Sequence, residues 1–184
     1  MMLNGIRSGA GKWGTAPWDT EGTVTHSLRA NRHLVSDPRN LDSSVDEVFN
    51  MMLGVTCQAV PEIEIAEAET ITAVVGFGGL LSGACVFRAG ESTALNIAAR
   101  LTGMEFSELD DTVKDAIGEI CNMIAGAWKG KVPDLSANCG LSIPAVITGS
   151  NYDIHVQAPE FRLHHSFQFE RSAFDVTIIC DGLQ

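Results

Sequence analysis

The sequence predicts an α+β domain, with helices packed on one face of a largely antiparallel sheet. The predicted elements run in the order helix, strands, two helices, strands, which is typical of that class. Two apolar runs, residues 70–77 and 80–87, flank Gly78-Gly79 and predict a hairpin. The alternating strand and helix of a Rossmann-type sheet is missing. The stretch Gly76–Gly79 leads into a strand rather than a helix, so it is not a phosphate loop.

The chain is expected to divide into a tail and one folded domain. Residues 1–40 are rich in Gly, Thr, Ser, Arg and Asn without a sustained period of 2 or 3.6, which predicts a disordered tail. The domain is expected to span residues 41–184, a length that suits a single core. Two of the three tryptophans lie in the tail. The sequence leaves open whether the tail carries a functional motif or is an overlong start of the chain.

The first half of the domain is predicted to contain one helix and three strands. The helix starts after N-cap candidates at residues 42–44 and runs to about Ala59. Ile63 and Ile65 alternate with glutamates, which predicts a half-buried strand. The hairpin of residues 70–87 follows.

The second half is predicted to contain two helices and four strands. One helix spans Glu91–Leu101 and is closed by Gly103, and the other spans residues 111–130. The strands are expected near residues 141–148, 153–157, 165–170 and 173–180.

Charge and cysteine content exclude several classes of function. The first 40 residues hold five Lys/Arg and three Asp/Glu, so the remaining chain holds seven basic and 20 acidic residues, a net charge of −13. An acidic body argues against binding to nucleic acid or to an anionic membrane surface. No apolar run approaches a membrane span, and residues 1–7 contain no apolar h-region, so we expect no secretory signal. Five scattered cysteines without a CxxC pair predict reduced core thiols, and hence a cytoplasmic protein.

The sequence does not predict a metal site or a small-molecule active site. It has no HxxxH, HExxH, CxxC or GxSxG spacing. His164 and His165 are neighbours on a predicted strand, so their side chains are expected to face opposite ways. We therefore expect no metal ligands in this chain.

One helical pattern occurs twice. Each copy has the spacing i, i+4, i+7, i+11: Ser43, Glu47, Asn50 and Gly54, and then Asp115, Glu119, Asn122 and Gly126. At about 100° per residue, this spacing puts the four residues of each copy on one helix face. A mid-helix glycine costs about 1 kcal/mol, and asparagine is a poor helix former. A helix face selected only for solubility would use Lys, Glu or Gln. The glycine and asparagine therefore indicate a docking surface for another macromolecule.

The opposite face of each motif helix is apolar. In the first helix it is predicted to hold Val45, Phe49, Met52, Thr56 and Val60. In the second it is predicted to hold Val113, Ile117, Ile120, Cys121, Ile124 and Trp128. Both helices are therefore expected to pack into a core and to expose their polar motif.

The stretch Asp115-Ala-Ile-Gly-Glu119-Ile-Cys-Asn122-Met-Ile-Ala-Gly126 resembles the active helix of the CheC/CheX/FliY family of chemotaxis phosphatases. That helix carries an acidic residue or serine, then Glu, then Asn, at this spacing. Further stretches resemble the CheX branch: Phe77–Gly83, Thr93–Leu95, Leu101–Phe106, Leu109-Asp110 and Pro144–Gly149. The resemblance covers nearly all of the predicted domain and none of the tail.

The resemblance implies a CheC/CheX-like fold and hydrolysis of the aspartyl phosphate on a CheY-type response regulator. Glu119 would pair with a lysine at the regulator's phosphorylation site, and Asn122 would hold a water in line with the phosphorus. Gly126 would let the partner backbone approach. The Mg²⁺ would belong to the regulator, so this chain would bind no cofactor. The CheX branch is dimeric, which implies a homodimer.

Structural alternatives remain for the second motif. Glu119 and Asn122 could be ordinary solvated residues, and Gly126 could be a contact between packed helices. Asp115 could orient Glu119, act through its charge, or have no specific role.

The first motif has a competing interpretation of its own. Ser44-x-x-Glu47 fits a capping box, in which Glu47 would be unavailable to a partner. The CheC branch uses two such helices and the CheX branch only the later one. Ser43, Glu47, Asn50 and Gly54 are therefore a possible second site.

The alternative function of the protein is a non-catalytic adaptor of the same fold that binds a response regulator or acts in the flagellar switch.

Overall fold

The computed structural model describes residues 28, 32–65, 69–150, 152 and 159–184. Most of the predicted tail and the predicted strand at residues 153–157 lie outside the described residues. The predicted disorder is wrong for residues 32–35 and 38–40, which are helical, and it stays a prediction for the tail residues outside the described ones.

The described strands form one seven-stranded sheet in which every pairing is antiparallel. The strands are β1 (Gln58–Val60), β2 (Thr70–Gly79), β3 (Leu81–Gly90), β4 (Cys139–Leu141), β5 (Ala145–Gly149), β6 (Phe161–Phe169) and β7 (Ser172–Leu183). Their order is β1-β6-β7-β3-β2-β4, and β5 also pairs with β2. The predicted hairpin is confirmed as β2–β3, with Phe77 opposite Gly83.

The described helices are α1 (Arg32–Val35), α2 (Pro38–Leu53), α3 (Glu91–Thr102), α4 (Asp111–Gly130) and α5 (Pro133–Asn138). Helices α2, α3 and α4 contact one another and the strands of the sheet. The α+β prediction is confirmed. The predicted helices at 91–101 and 111–130 match α3 and α4, and Gly103 closes α3 with a φ of 74°.

The core lies between the helices and the inner face of the sheet. An aromatic cluster joins α2 to the middle strands: the ring of Phe49 stacks on Phe174 at 4.6 Å, and Phe174 stacks on Phe87 at 4.9 Å. Offset ring pairs of this kind stabilise by about 0.5–1.5 kcal/mol beyond the area that they bury. The cluster therefore fixes α2 on the sheet.

Helix α4 is the central helix of the fold, and its predicted apolar face is confirmed. All six residues of that face are fully buried: Val113, Ile117, Ile120, Cys121, Ile124 and Trp128. Burial of each large side chain stabilises by about 1.5–3 kcal/mol. The Cys121 thiol donates to the Ala73 carbonyl at 3.5 Å, and the Trp128 ring lies 5.2 Å from that of Phe77. The rotation of α4 about its axis is therefore set, and so is the face that it exposes.

Helix α2 begins and ends earlier than predicted. Asp37 is its N-cap, because the Asp37 carboxylate accepts from the Arg39 backbone N–H at 3.0 Å and Pro38 occupies the first turn. The helix ends at Leu53 because Gly54 adopts a left-handed conformation, with a φ of 68°. The predicted start after residues 42–44 and the predicted end at Ala59 are therefore wrong.

The predicted apolar face of α2 is wrong in part. Val45 and Phe49 are buried, but Met52 is 37% exposed, and Thr56 and Val60 lie beyond the helix. The period of 3.6 cannot continue past the left-handed turn at residue 54.

Two further predictions near α2 are corrected. Ser44 is buried and donates to the Asn40 carbonyl at 2.6 Å, so the predicted capping box does not form. Leu28 and Val35 are fully buried in the core although both precede residue 41, the predicted start of the domain.

The predicted strand around Ile63 and Ile65 is also wrong. Residues 61–65 have no regular secondary structure, and the short strand β1 lies just before them. The Ile63 N–H donates to the Ser166 hydroxyl at 3.1 Å instead of to a strand backbone. The segment is thus held to β6 by a side-chain contact, which alternation of residues does not predict.

All five cysteines are buried with free thiols, as predicted. Burial raises the pKa of Cys57 to about 12 and that of Cys180 to about 11. The described helices include none that is both long enough and apolar enough to cross a membrane.

Candidate functional site

The solvent face of α4 presents the second motif. Asp115 and Glu119 are exposed, and Asn122 and Gly126 are half-buried. Among the described residues, no side-chain hydrogen bond or ion pair is made by the Glu119 carboxylate or the Asn122 carboxamide. A carboxylate and a carboxamide therefore lie one helical turn apart on a fixed helix, with their hydrogen-bonding capacity free for a partner.

A shallow cavity of about 280 Å³ adjoins Glu119. Its lining residues come from α4 and from the start of β5: Lys114, Asp115, Gly118, Glu119, Pro144 and Val146. Small-molecule sites enclose most of their ligand. This cavity is open to solvent, which suits contact with a protein surface better than enclosure of a small substrate.

Gly118 is a residue whose role the sequence analysis missed. It is buried, and a Cβ atom there would lie 3.3 Å from Pro144 Cβ and 3.4 Å from Val146 Cγ2. Glycine at this position lets β5 approach α4 closely, which forms one wall of the cavity beside Glu119. The available signal was a glycine inside an otherwise strong helical pattern.

Gly126 has a different environment from Gly118. The nearest atom to a Cβ at this position would be Leu141 Cδ1, at 3.9 Å, an ordinary van der Waals distance. Alanine would therefore fit inside this molecule, although glycine costs the helix about 1 kcal/mol relative to alanine. Packing within the described part of the chain does not account for Gly126.

The edge of the sheet beside α4 contains a bulge. Ser142 is held against β2, because its N–H donates to the Gly76 carbonyl and its hydroxyl accepts from the Gly76 N–H, both at 2.9 Å. Ala145 then pairs with Val74, so residues 143 and 144 together oppose a single residue of β2. This arrangement is a β-bulge, a feature often found beside active sites. It splits the strand predicted at 141–148 into β4 and β5.

The first motif lies on α2, and its four members Ser43, Glu47, Asn50 and Gly54 are all exposed. It differs from the second motif in two ways. The Glu47 carboxylate forms an ion pair with the Lys131 ammonium at 2.6 Å. Gly54 is a C-cap whose N–H donates to the Asn50 carbonyl at 3.1 Å, so it lies at the end of its helix rather than inside it. An ion pair within the molecule therefore accounts for Glu47, and the end of the helix accounts for Gly54.

His164 and His165 face opposite sides of β6. The His164 Nδ1 atom lies 2.8 Å from the Thr177 hydroxyl, and the His165 Nδ1 atom lies 2.6 Å from the Asp42 carboxylate on α2. In the described part of the chain, no group of three or more His, Cys, Asp or Glu side chains is placed to hold a metal ion.

Comparison with known proteins relates this chain to one family. The family model for the chemotaxis phosphatase CheX matches residues 71–168, which is more than half of the chain and includes all of α4. The CheY-P phosphatase CheX of Thermotoga maritima is 31% identical over 120 residues, which cover 62% of this chain and 76% of that protein.

Solved structures share the fold. The chemotaxis protein CheX from Vibrio vulnificus superimposes with a TM-score of 0.67 at 19% identity, over 79% of this chain and 97% of that one. A chain of the CheX-CheY-BeF3-Mg+2 complex from Borrelia burgdorferi superimposes with a TM-score of 0.65 at 21% identity, over 78% and 97% of the two chains.

Proposed function

Because the chain belongs to the chemotaxis phosphatase CheX family, we propose that it hydrolyses the aspartyl phosphate of a CheY-type response regulator. The observation that carries the proposal is that Glu119 and Asn122 lie on the solvent face of α4 with no side-chain partner among the described residues. The relative from T. maritima carries this activity in its name. The chain would act in chemotaxis or in a related two-component pathway.

Glu119 orients the docked regulator in this proposal. Its exposed carboxylate pairs with the lysine beside the phosphorylated aspartate, and a charge-assisted hydrogen bond of this kind is about twice as strong as a neutral one. Asp115 lies one turn earlier on the same face and adds negative charge that favours the approach of a cation. Neither carboxylate becomes a covalent nucleophile.

Asn122 positions the attacking water. The acyl phosphate is already reactive, so alignment of a water with the phosphorus and exclusion of other waters supply most of the rate increase. The Asn122 amide can donate to and accept from that water, which fixes its orientation. The Mg²⁺ is bound by carboxylates of the regulator, and this chain contributes no metal ligand.

We assign the working site to α4 and leave α2 as a candidate for a second site. Glu47 would have to break its ion pair with Lys131 before it could bind a partner's lysine. Gly54 closes its helix and therefore does not correspond in position to Gly126. These two differences favour a single active motif.

We further propose that the chain forms a homodimer through an edge of its sheet. The described sheet ends at β1 on one side and at β4 and β5 on the other, and an open edge strand can pair with a second chain. Light scattering of the full chain would give the mass directly. A mass of about 20 kDa, that of one chain, would contradict the dimer.

The proposal is tested by separating binding from hydrolysis. Asn122→Ala should bind a regulator activated by beryllofluoride as tightly as the wild type does, yet lose hydrolysis of the phosphorylated regulator. Loss of one well-placed hydrogen-bonding group typically costs about 10²–10³ in rate. If the wild type binds the regulator without accelerating loss of phosphate, the protein is a non-catalytic adaptor and the proposal fails.

A further inference from the structure

Ile143 is a large apolar side chain that is almost completely exposed. It is 88% exposed, more than Met51, Met104 or Ile147 among the described residues. Isolated exposed apolar residues are common on protein surfaces, so exposure alone has no functional meaning. The surroundings of Ile143 distinguish it from the others.

The residues on both sides of Ile143 are anchored. Ser142 is held to Gly76 by two hydrogen bonds of 2.9 Å, and its hydroxyl also lies 2.9 Å from the Ile143 carbonyl oxygen. On the other side, Pro144 packs against the backbone of α4 at Gly118. Proline restricts its own φ and also the conformation of the residue before it. The bulge thus presents Ile143 on a rigid backbone, so contact with a partner costs little backbone entropy.

Ile143 also lies beside the proposed active face. Its neighbour Pro144 lines the same cavity as Asp115 and Glu119. Consecutive Cα atoms are about 3.8 Å apart, so Ile143 is one peptide unit from the wall of that cavity. Pro144 meets α4 at Gly118 and Leu141 meets it at Gly126, so the bulge lies beside the stretch of α4 that holds Glu119 and Asn122. We expect a protein docked on Glu119 and Asn122 to reach the bulge as well.

We infer that Ile143 is a docking anchor for the receiver domain of the response regulator. The inference rests on the proposed function, since that function supplies the occupant. The chemistry required of the occupant is a lysine at its phosphorylation site, to meet Glu119, with an apolar patch beside it, to cover Ile143. A central apolar anchor next to charged contacts is a common arrangement in protein interfaces.

The test compares Ile143→Ser with Ile147→Ser. Ile147 is the same residue type, is 45% exposed and lies four residues further along the same edge. It pairs with Thr72, while its neighbour Val146 packs toward α4, so Ile147 faces the other side of the sheet. Both positions are exposed, so both variants should fold, and thermal unfolding would verify that they do.

The expected result is a change in KM without a change in kcat. Ile143→Ser should raise KM for the phosphorylated regulator, and Kd for the beryllofluoride-activated regulator, by roughly ten- to a hundredfold. Ile147→Ser should match the wild type, and Ile143→Val should recover most of the affinity. A contact that only docks the partner acts equally on ground state and transition state, which leaves kcat unaltered.

Three results would overturn the inference. If the wild type hydrolyses the regulator and Ile143→Ser has the wild-type KM, the inference fails while the proposed function stands. If Ile143→Ser lowers the molecular mass in solution and Ile147→Ser does not, a second copy of this chain covers Ile143. If the wild type neither binds nor dephosphorylates any regulator, the inference and the proposed function fail together.

Discussion

Replacement of Gly126 by alanine should make the protein more stable and less active. Among the described residues, the contact that an added Cβ would make within 4 Å is with Leu141 Cδ1, at 3.9 Å, which is not a clash. Gly126 lies in the interior of α4, where alanine is favoured over glycine by about 0.8–1.0 kcal/mol. For a chain of this size, that gain corresponds to a rise in melting temperature of about 2–4 °C.

The activity should change in the opposite direction. If Gly126 lets the regulator backbone approach α4, the added methyl group is overpacked in the complex, which costs roughly 1–3 kcal/mol. At about 1.4 kcal/mol per factor of ten, kcat/KM should fall by roughly five- to a hundredfold. Thermal and urea denaturation would measure the first effect, and hydrolysis of phosphorylated regulator the second.

Gly118→Ala is the matched control. Its Cβ would lie 3.3 Å from Pro144 and 3.4 Å from Val146, so strain against β5 offsets the gain in helix propensity. We expect little or no stabilisation from this variant. The reasoning about Gly126 is refuted if Gly126→Ala lowers the melting temperature, or if it raises the melting temperature and leaves hydrolysis unchanged.

Three further predictions concern α2 and the buried thiols. Lys131→Met should change the free energy of unfolding by less than about 1 kcal/mol, because the ion pair between Lys131 and Glu47 is solvent-accessible. The rate of hydrolysis should stay unchanged, and a higher rate that depends on Asn50 would mean that α2 holds a working site. The five cysteines should react with an aromatic disulfide reagent only after denaturation, because their thiols are buried, and rapid labelling of the native protein would contradict this. The folded-state pKa of Cys57 is raised from its ordinary 9.0 to about 12, so the contribution of Cys57 to the free energy of unfolding should be fully present below pH 9.0 and be lost as the pH rises toward 12. Urea titrations of the wild type and Cys57→Ala below and above pH 9.0 would measure this contribution, and a difference between them that does not change with pH would contradict it.

The second motif helix could be predicted from the sequence because local signals agree there. Asp110 caps α4 by accepting from the Val113 N–H at 2.9 Å, the apolar period is unbroken, and Pro133 follows shortly after the last helical residue, Gly130. Each of these signals lies within a few residues of the feature that it fixes. The same locality explains why α3 and the β2–β3 hairpin were predicted with nearly correct bounds.

The differences between the two motifs depend on contacts that are distant in sequence. Glu47 and Lys131 are 84 residues apart, so no local pattern connects them. A glycine four residues after Asn50 fits both a helix interior and a C-cap, and only the backbone conformation decides between them. The N-cap of α2 is Asp37, followed by Pro38, whereas the polar residues at 42–44 predicted a later start.

The bulge at Ile143 could not be predicted from the sequence. It follows from the registers in which β4 and β5 pair with β2, which leave two residues opposite one. The role of Gly118 has the same origin, because the atoms that an added Cβ would meet belong to Pro144 and Val146, at and just before β5, rather than to α4. The polar residues of the site were therefore found from helical spacing, and the surface around them was found only from the tertiary structure.

The most direct test of the central proposal is the rate of phosphate loss from a Mg²⁺-loaded, phosphorylated CheY-type regulator, measured with wild type, Asn122→Ala and Asn50→Ala side by side. We predict that the wild type and Asn50→Ala accelerate the loss equally and that Asn122→Ala does not accelerate it. Partial loss in both variants would show that both motif helices work. Full acceleration by Asn122→Ala would contradict the role that we assign to α4.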